Sequence, residues 1–244
     1  LANRYCFSRE LQGALLRARD EGREYALLFA DLDNFKTIND SLGHAVGDKL
    51  LRHVGQRLMT LVDEGMVLAR LGGDELARLV PIQGGDLWVD DLARRLLALI
   101  GQPFQLDDVQ VSVRTSVGMA CFPRDGRDPE HLLKRADLAL YAAKAAGRNT
   151  SRFFDPVLEE NANTRVRLQQ EMGVALAREQ FTVVFQPQVN LSSGLCTGFE
   201  ALVRWQHAER GLIGPGDFIP VAEETGQIVP LGTWILRTAC QQLV

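Results

Sequence analysis

The sequence predicts an α/β protein, because short apolar runs of strand length alternate with helical patterns around one glycine-rich hairpin. The first observation is the alternation itself. Residues 25–31 form an almost wholly apolar run suited to a buried strand, while residues 49–62, 87–100 and 128–147 carry leucine and alanine at helical spacing. The second is Arg70-Leu71-Gly72-Gly73-Asp74-Glu75-Leu76, where apolar runs 66–71 and 76–80 flank two glycines and two carboxylates. That is a β-hairpin whose turn uses glycine to reach backbone angles other residues avoid. The third is bulk: 244 residues, 46% hydrophobic and 24% charged, can hold one large domain or two ordinary ones.

Composition also excludes classes of function. A net charge of −4 gives no whole-chain case for nucleic-acid binding, although a local basic cluster could still hold phosphates. Cys6, Cys121, Cys196 and Cys240 are scattered without C-x-x-C pairing, so they read as reduced thiols of a cytoplasmic protein, not a disulfide frame or zinc site. No apolar run approaches the ~18 residues of a membrane-spanning helix, and no signal peptide is visible. The chain begins at Leu1, not methionine, and reads as a piece of a longer protein in which a sensor domain is expected.

In chain order, Ser8 can cap a helix running to about residue 21, with Leu11, Leu15 and Ala18 on one face and Gly22 ending it. Asp31 closes the apolar strand 25–31, at the carboxyl end where open α/β sheets place ligands; Asp31 and Asp33 could equally cap the next helix. Residues 38–48 are rich in turn and capping types. Asn39 reads there as a turn residue, Asp48 as the N-cap of helix 49–62, and His44 as structural. That helix sets Leu50, Val54, Leu58 and Leu61 on one face. Two acids at the hairpin tip could be simply solvated. Otherwise they need a cation, and Mg²⁺ takes few carboxylates plus phosphate oxygens. Helix 87–100 carries Leu92, Leu96 and Leu99, and strands 104–106 and 109–120 follow, parted by Asp107-Asp108. Asp128-Pro129-Glu130 opens a helix through Leu132, Leu133, Ala136, Leu140 and Ala143 to Gly147. Lys144 and Arg148 lie around its end, where cations are favoured in any case.

Three stretches together carry a resemblance: the GGDEL hairpin, Phe29-Ala30-Asp31-Leu32-Asp33-Asn34-Phe35-Lys36, and Tyr141-Ala142-Ala143-Lys144-Ala145-Ala146-Gly147-Arg148-Asn149. The chain resembles the GGDEF domain family of diguanylate cyclases, which join two GTP molecules into cyclic di-GMP. Leu1-Ala2-Asn3-Arg4 is similar to the tail of that family's L-T-G-L-x-N-R opening motif. The resemblance implies a nucleotidyl-cyclase-like (palm/ferredoxin-like) central sheet flanked by helices over residues 1–154. It assigns Asp31, Asp74 and the backbone carbonyl of Leu32 to Mg²⁺ (or Mn²⁺), and Asp74 and Glu75 to catalysis, Glu75 helping to deprotonate the attacking 3′-hydroxyl. It assigns Asn39 and Asp48 to guanine, whose edge offers both donors and acceptors, and Lys36, Lys144 and Arg148 to phosphate. Such chemistry needs cations on phosphate oxygens and a positioned nucleophile, and two subunits must meet head to head as a homodimer. The family's R-x-x-D product site falls on Asp63-Glu64-Gly65-Met66, which lacks both side chains, so feedback by product is not expected. Leu76 stands where the family has phenylalanine. Arg78 stands where it has an apolar strand residue, and must either reach solvent or change the packing.

A second region opens near Asp155-Pro156, with a linker helix expected from 157 to 178 (segment 155–180) carrying Val166, Met172 and Leu176. Strands 181–191 and 195–204 then flank Ser192-Ser193-Gly194. Phe185-Gln186-Pro187-Gln188, Glu200-Ala201-Leu202-Val203-Arg204-Trp205 and the stretch 216–226 resemble the start of an EAL domain, the cyclic di-GMP phosphodiesterase family with a (β/α)8-type barrel. The resemblance covers 181–244 and implies that Gln186, Glu200, Leu202 and Arg204 hold the dinucleotide, with Glu200 a metal ligand. Only about a quarter of such a barrel is present. Hydrolysis by this chain is therefore not expected, and its strand edges are expected to favour self-association or swapping. Three functions remain open: a Mg²⁺-dependent cyclase, a silent GTP-binding module tuning an attached EAL phosphodiesterase, and a protein-interaction domain without nucleotide.

Overall fold

The computed structural model describes residues 1–63 and 66–242. The chain falls into two compact units, Leu1–Glu159 and Glu160–Val244.

The first unit contains α1 (Arg4–Glu21), β1 (Tyr25–Asp33), α2 (Phe35–Leu42), α3 (His44–Met59), β2 (Val67–Gly72), β3 (Glu75–Pro81), α4 (Gly85–Ile100), β4 (Phe104–Leu106), β5 (Val109–Val111), β6 (Arg114–Phe122), α5 (Pro129–Ala145) and β7 (Ser151–Phe153). Five strands form one sheet in the order β2-β3-β1-β6-β7, antiparallel except between β6 and β7. The most apolar run of the sequence, β1, sits in the middle, with both faces covered like those of its neighbours β3 and β6. Ala26, Leu28, Ala30 and Leu32 face a core with α3 and α4, and Tyr25, Leu27 and Phe29 face a second core with α1 and α5. Leu76, in the signature's variant position, is 3% exposed within the first of these cores.

Several boundaries differ from the sequence reading, each for a local reason. Helix α1 starts at Arg4, not near Ser8, because the Asn3 side chain caps it by accepting from the Cys6 N–H at 2.9 Å. Helix α3 starts at His44, so Asp48 lies inside it and is no N-cap, and Asn39 lies in α2, not a turn. The single strand expected over 109–120 divides at Ser112-Val113: β5 folds back on β4 as a separate hairpin, and β6 joins β1. Asp128 does cap α5, accepting from the His131 N–H at 2.9 Å. Arg78 does not reach solvent. It is 3% exposed, its Nη2 donates to the Leu61 carbonyl and to Met66 Sδ, and its buried Nε and Nη1 have no hydrogen-bond partner among the described residues. Desolvation lowers its pKa from the ordinary guanidinium value. Of the four product-site positions, Glu64 and Gly65 lie outside the described residues.

The second unit takes in most of α6 (Pro156–Ala175), β8 (Phe181–Val189), β9 (Cys196–His207), β10 (Gly211–Ile213), α7 (Pro215–Thr225) and α8 (Ile228–Gln242). Its sheet has the antiparallel order β10-β9-β8. Phe181, Val203, Trp205 and Ile213 pack from one face against Leu168 and Met172 of α6, Phe218 and Val221 of α7 and Leu231 of α8. Trp205 is fully buried, with Nε1 donating to Gln180 Oε1 at 3.1 Å. No described helix of either unit is long and apolar enough to cross a membrane.

Candidate functional site

Alternation along β1 continues past the core. Asp31 and Asp33 follow Leu27 and Phe29 on the face covered by α1 and α5. The register then decides their neighbours: Asp31 lies directly opposite Glu75 on β3 and Ser116 on β6. With Gly73 at φ 48° closing the turn, Asp74 is held beside them. Two segments far apart in sequence, the end of β1 and the β2–β3 tip, thus bring Asp31, Asp74 and Glu75 together at one end of the sheet.

Helix α5 delivers the cation. It crosses β6 so closely that a Cβ on Gly118 would meet the Ala136 carbonyl oxygen at 2.0 Å and the Leu140 nitrogen at 2.2 Å. Only glycine allows that approach. One turn beyond Leu140, Lys144 Nζ reaches Asp31 Oδ1 at 2.8 Å. Helix α1 delivers a second cation: Arg4 Nε donates to the Leu71 carbonyl at 3.0 Å and Nη2 to Glu75 Oε2 at 3.2 Å. The segment before Arg4 is itself fixed to β2, since the Ala2 N–H donates to Leu68 and its carbonyl accepts from Arg70. Arg4 was legible only as part of an opening motif; nothing in the sequence pointed it at Glu75.

Electrostatically the site gathers like charge around Asp31. Burial raises the Asp31 carboxyl above its ordinary value of 3.8, the nearby carboxylates of Asp74 and Asp33 push the same way, and Lys144 opposes them. Asp33 is 7% exposed and spans elements: Ser116 Oγ donates to its Oδ1 at 2.8 Å and the Asn149 N–H to its Oδ2 at 3.0 Å. It is a tie between strands and the loop after α5, not the helix cap it could have been. Arg148 stands in that loop, exposed and at φ 63°.

The remaining predicted positions divide. Leu32 buries its side chain in the core, so only its backbone could serve a ligand. Lys36 is exposed in the first turn of α2. Asn39 sits over Gly47, where a Cβ would meet its Oδ1 at 1.9 Å, and this places its amide next to the residue preceding Asp48. Among the described residues no three or more His, Cys, Asp or Glu side chains gather as a metal-holding cluster. The Asp31–Asp74 pair with one carbonyl nonetheless suits Mg²⁺, which binds few carboxylates and completes its shell with water and phosphate oxygens, and a cation would relieve the raised Asp31 carboxyl. In the second unit, Gln186 is paired with Glu200, and Leu202 and Arg204 follow on the same face of β9. That face is opposite the one carrying Val203 and Trp205, and both Gln186 and Glu200 are exposed.

Comparison with known proteins follows these two units. Residues 1–150 match the family model described as "Diguanylate cyclase, GGDEF domain", and residues 167–244 match part of the EAL domain model. The chain is 40% identical over 244 residues to the bifunctional diguanylate cyclase/cyclic di-GMP phosphodiesterase MucR of Pseudomonas aeruginosa, all of this chain and 35% of that protein. It is also 40% identical over 243 residues to the cyclic di-GMP phosphodiesterase NbdA of the same organism, all of this chain and 31% of that protein. The chain therefore spans about a third of the length of these relatives. Among solved structures, the GGDEF domain of YfiN (TpbB) from Pseudomonas aeruginosa matches with a TM-score of 0.61 and 38% identity, covering 64% of this chain and 97% of that one.

Proposed function

The chain belongs to the GGDEF family of diguanylate cyclase domains, continues into part of an EAL domain, and so serves cyclic di-GMP signalling; from that premise we propose that it condenses two GTP molecules into cyclic di-GMP and pyrophosphate. The observation that carries the reading is the β1–β3 register, which sets Asp31 opposite Glu75 with Asp74 beside both. Asp31, Asp74 and the Leu32 carbonyl would hold Mg²⁺ (or Mn²⁺), which would supply neutralising charge to the phosphate oxygens. Asn39 and Asp48 take the guanine, and Lys36, Lys144 and Arg148 take the phosphates. Lys144 leaves Asp31 for a phosphate oxygen as the substrate arrives. Glu75 receives the proton of the attacking 3′-hydroxyl, whose oxygen bonds the α-phosphorus of the second GTP while pyrophosphate leaves. Because that second GTP sits on another subunit, the active species is a head-to-head homodimer.

A second reading is favoured by Arg78. A buried guanidinium on the strand that carries Glu75 can leave GTP bound without turnover, as a regulatory module for an attached EAL phosphodiesterase. One assay separates the two: chromatographic detection of cyclic di-GMP and pyrophosphate from GTP and Mg²⁺ across protein concentrations, with Asp74→Ala alongside. Product formed at a rate per subunit that rises with concentration, and lost in the variant by about a thousandfold or more, supports the cyclase. GTP binding without product supports the regulatory module.

A further inference from the structure

The loop that carries Arg148 is irregular, anchored at its two ends by backbone bonds, from the Arg148 N–H to the Ala143 carbonyl at 3.2 Å and from the Val117 N–H to the Thr150 carbonyl at 2.9 Å. Helix α5 ends at Ala145, β7 begins only at Ser151, and between them Arg148 and Asn149 both stand at positive φ, 63° and 48°. Neither is glycine, so each needs surrounding contacts to fix it there. One contact comes from the far side of the sequence: Asp33 Oδ2 accepts the Asn149 N–H at 3.0 Å, and its other oxygen is fixed by Ser116 Oγ at 2.8 Å. With both oxygens engaged and 7% of its surface exposed, this carboxylate has a single orientation and little access to solvent.

We infer that Asp33 is a positioning residue for triphosphate binding: it locks the loop after α5 so that Arg148, together with Lys144, meets the phosphates of the nucleotide. Asp33 touches neither metal nor nucleotide in this scheme. The inference rests on the reading that Lys144 and Arg148 are phosphate contacts. It explains why a second acid follows two residues after Asp31 on the same strand face.

The test compares how much more tightly the chain binds GTP than GMP, by calorimetry with Mg²⁺, because GMP keeps the guanine contacts and lacks the β- and γ-phosphates. Asp33→Ala is expected to lower that preference about tenfold, the scale of one charge-assisted hydrogen bond, while GMP affinity holds. Asp33→Asn is expected to restore it, since its carbonyl oxygen can accept the Asn149 N–H while Ser116 Oγ turns to accept from its amide. Should Asp33→Ala not fold, Asp33→Glu, which keeps the acceptor but is one methylene too long, is expected to lower the preference in its place. Unchanged preference in a folded Ala or Glu variant overturns the inference and leaves the phosphate reading intact. Equal loss of GTP and GMP binding overturns it too, as a general structural effect. A wild-type chain that does not prefer GTP to GMP removes the phosphate reading, and the inference with it.

Discussion

The two larger sheets of this protein solve the same problem differently. In the first unit both faces are covered by helices, and the charged positions Asp31, Asp33 and Glu75 appear only where the strands run beyond the second core. In the second unit one face is covered and the other is not, so Gln186, Glu200, Leu202 and Arg204 line up along an exposed face. The covered sheet must gather its site from five elements (α1, β1, the β2–β3 hairpin, β6 and α5), whereas the half-covered one displays its positions on neighbouring strands with no third element. Coverage on both sides allows a tighter and more electrostatically perturbed site. It also makes that site hostage to packing far from it.

Substitutions can sharpen or break this contrast. The largest effect is expected in the half-covered sheet, whose core turns on one side chain: Trp205→Ala should cost about 3–5 kcal/mol in urea unfolding, by loss of transfer and a cavity. A cost below about 1 kcal/mol would mean the one-sided core is not what holds that unit. Next comes a matched pair. Gly118→Ala drives a methyl into the backbone of α5 and should cost about 3 kcal/mol or more. Gly198→Ala, whose new methyl meets nothing nearer than Gln188 Oε1 at 3.6 Å, should stay within about 0.5 kcal/mol. Equal costs would erase the distinction between covered and open faces.

Arg78→Leu tests the covered face from inside. It removes a buried guanidinium with two nitrogens unpartnered among the described residues, and stability should rise by about 1–2 kcal/mol. A loss would show that the Leu61 and Met66 contacts outweigh desolvation. The smallest effect is expected at Asp31. Its folded pKa lies above 3.8, so the folded state holds the proton more tightly than the unfolded chain. The resulting destabilisation is absent below that ordinary value and complete above the folded one. Asp31→Asn mimics the protonated form, so Tm near neutral pH should rise by about 2 °C or less, with the gain vanishing below pH 4. Thermal scans across that range check it, and a drop in Tm at neutral pH would mean that the Lys144 ion pair dominates.

Much of this was legible in the chain. The alternation of patterns placed β1, the hairpin, the helices over 49–62 and 87–100 and the Asp128 cap, because hydrophobic period and capping chemistry are local. The Gly-Gly-Asp-Glu tip could be read for the same reason, since a tight turn constrains its own four residues. Period-2 alternation even put Arg78 on the right face. What alternation lacked was any information about what stood over that face, so the fate of the guanidinium, buried under the end of α3 and only partly satisfied, belonged to the tertiary structure. The break between β5 and β6 was hidden because each piece alone reads as strand. The ties from Arg4 to Glu75, Lys144 to Asp31 and Asp33 to Asn149 join residues 71, 113 and 116 positions apart. A sequence specifies which groups can pair. Strand register and the close approach of α5 at Gly118 select which pairs form, because they fix distances that no local pattern encodes.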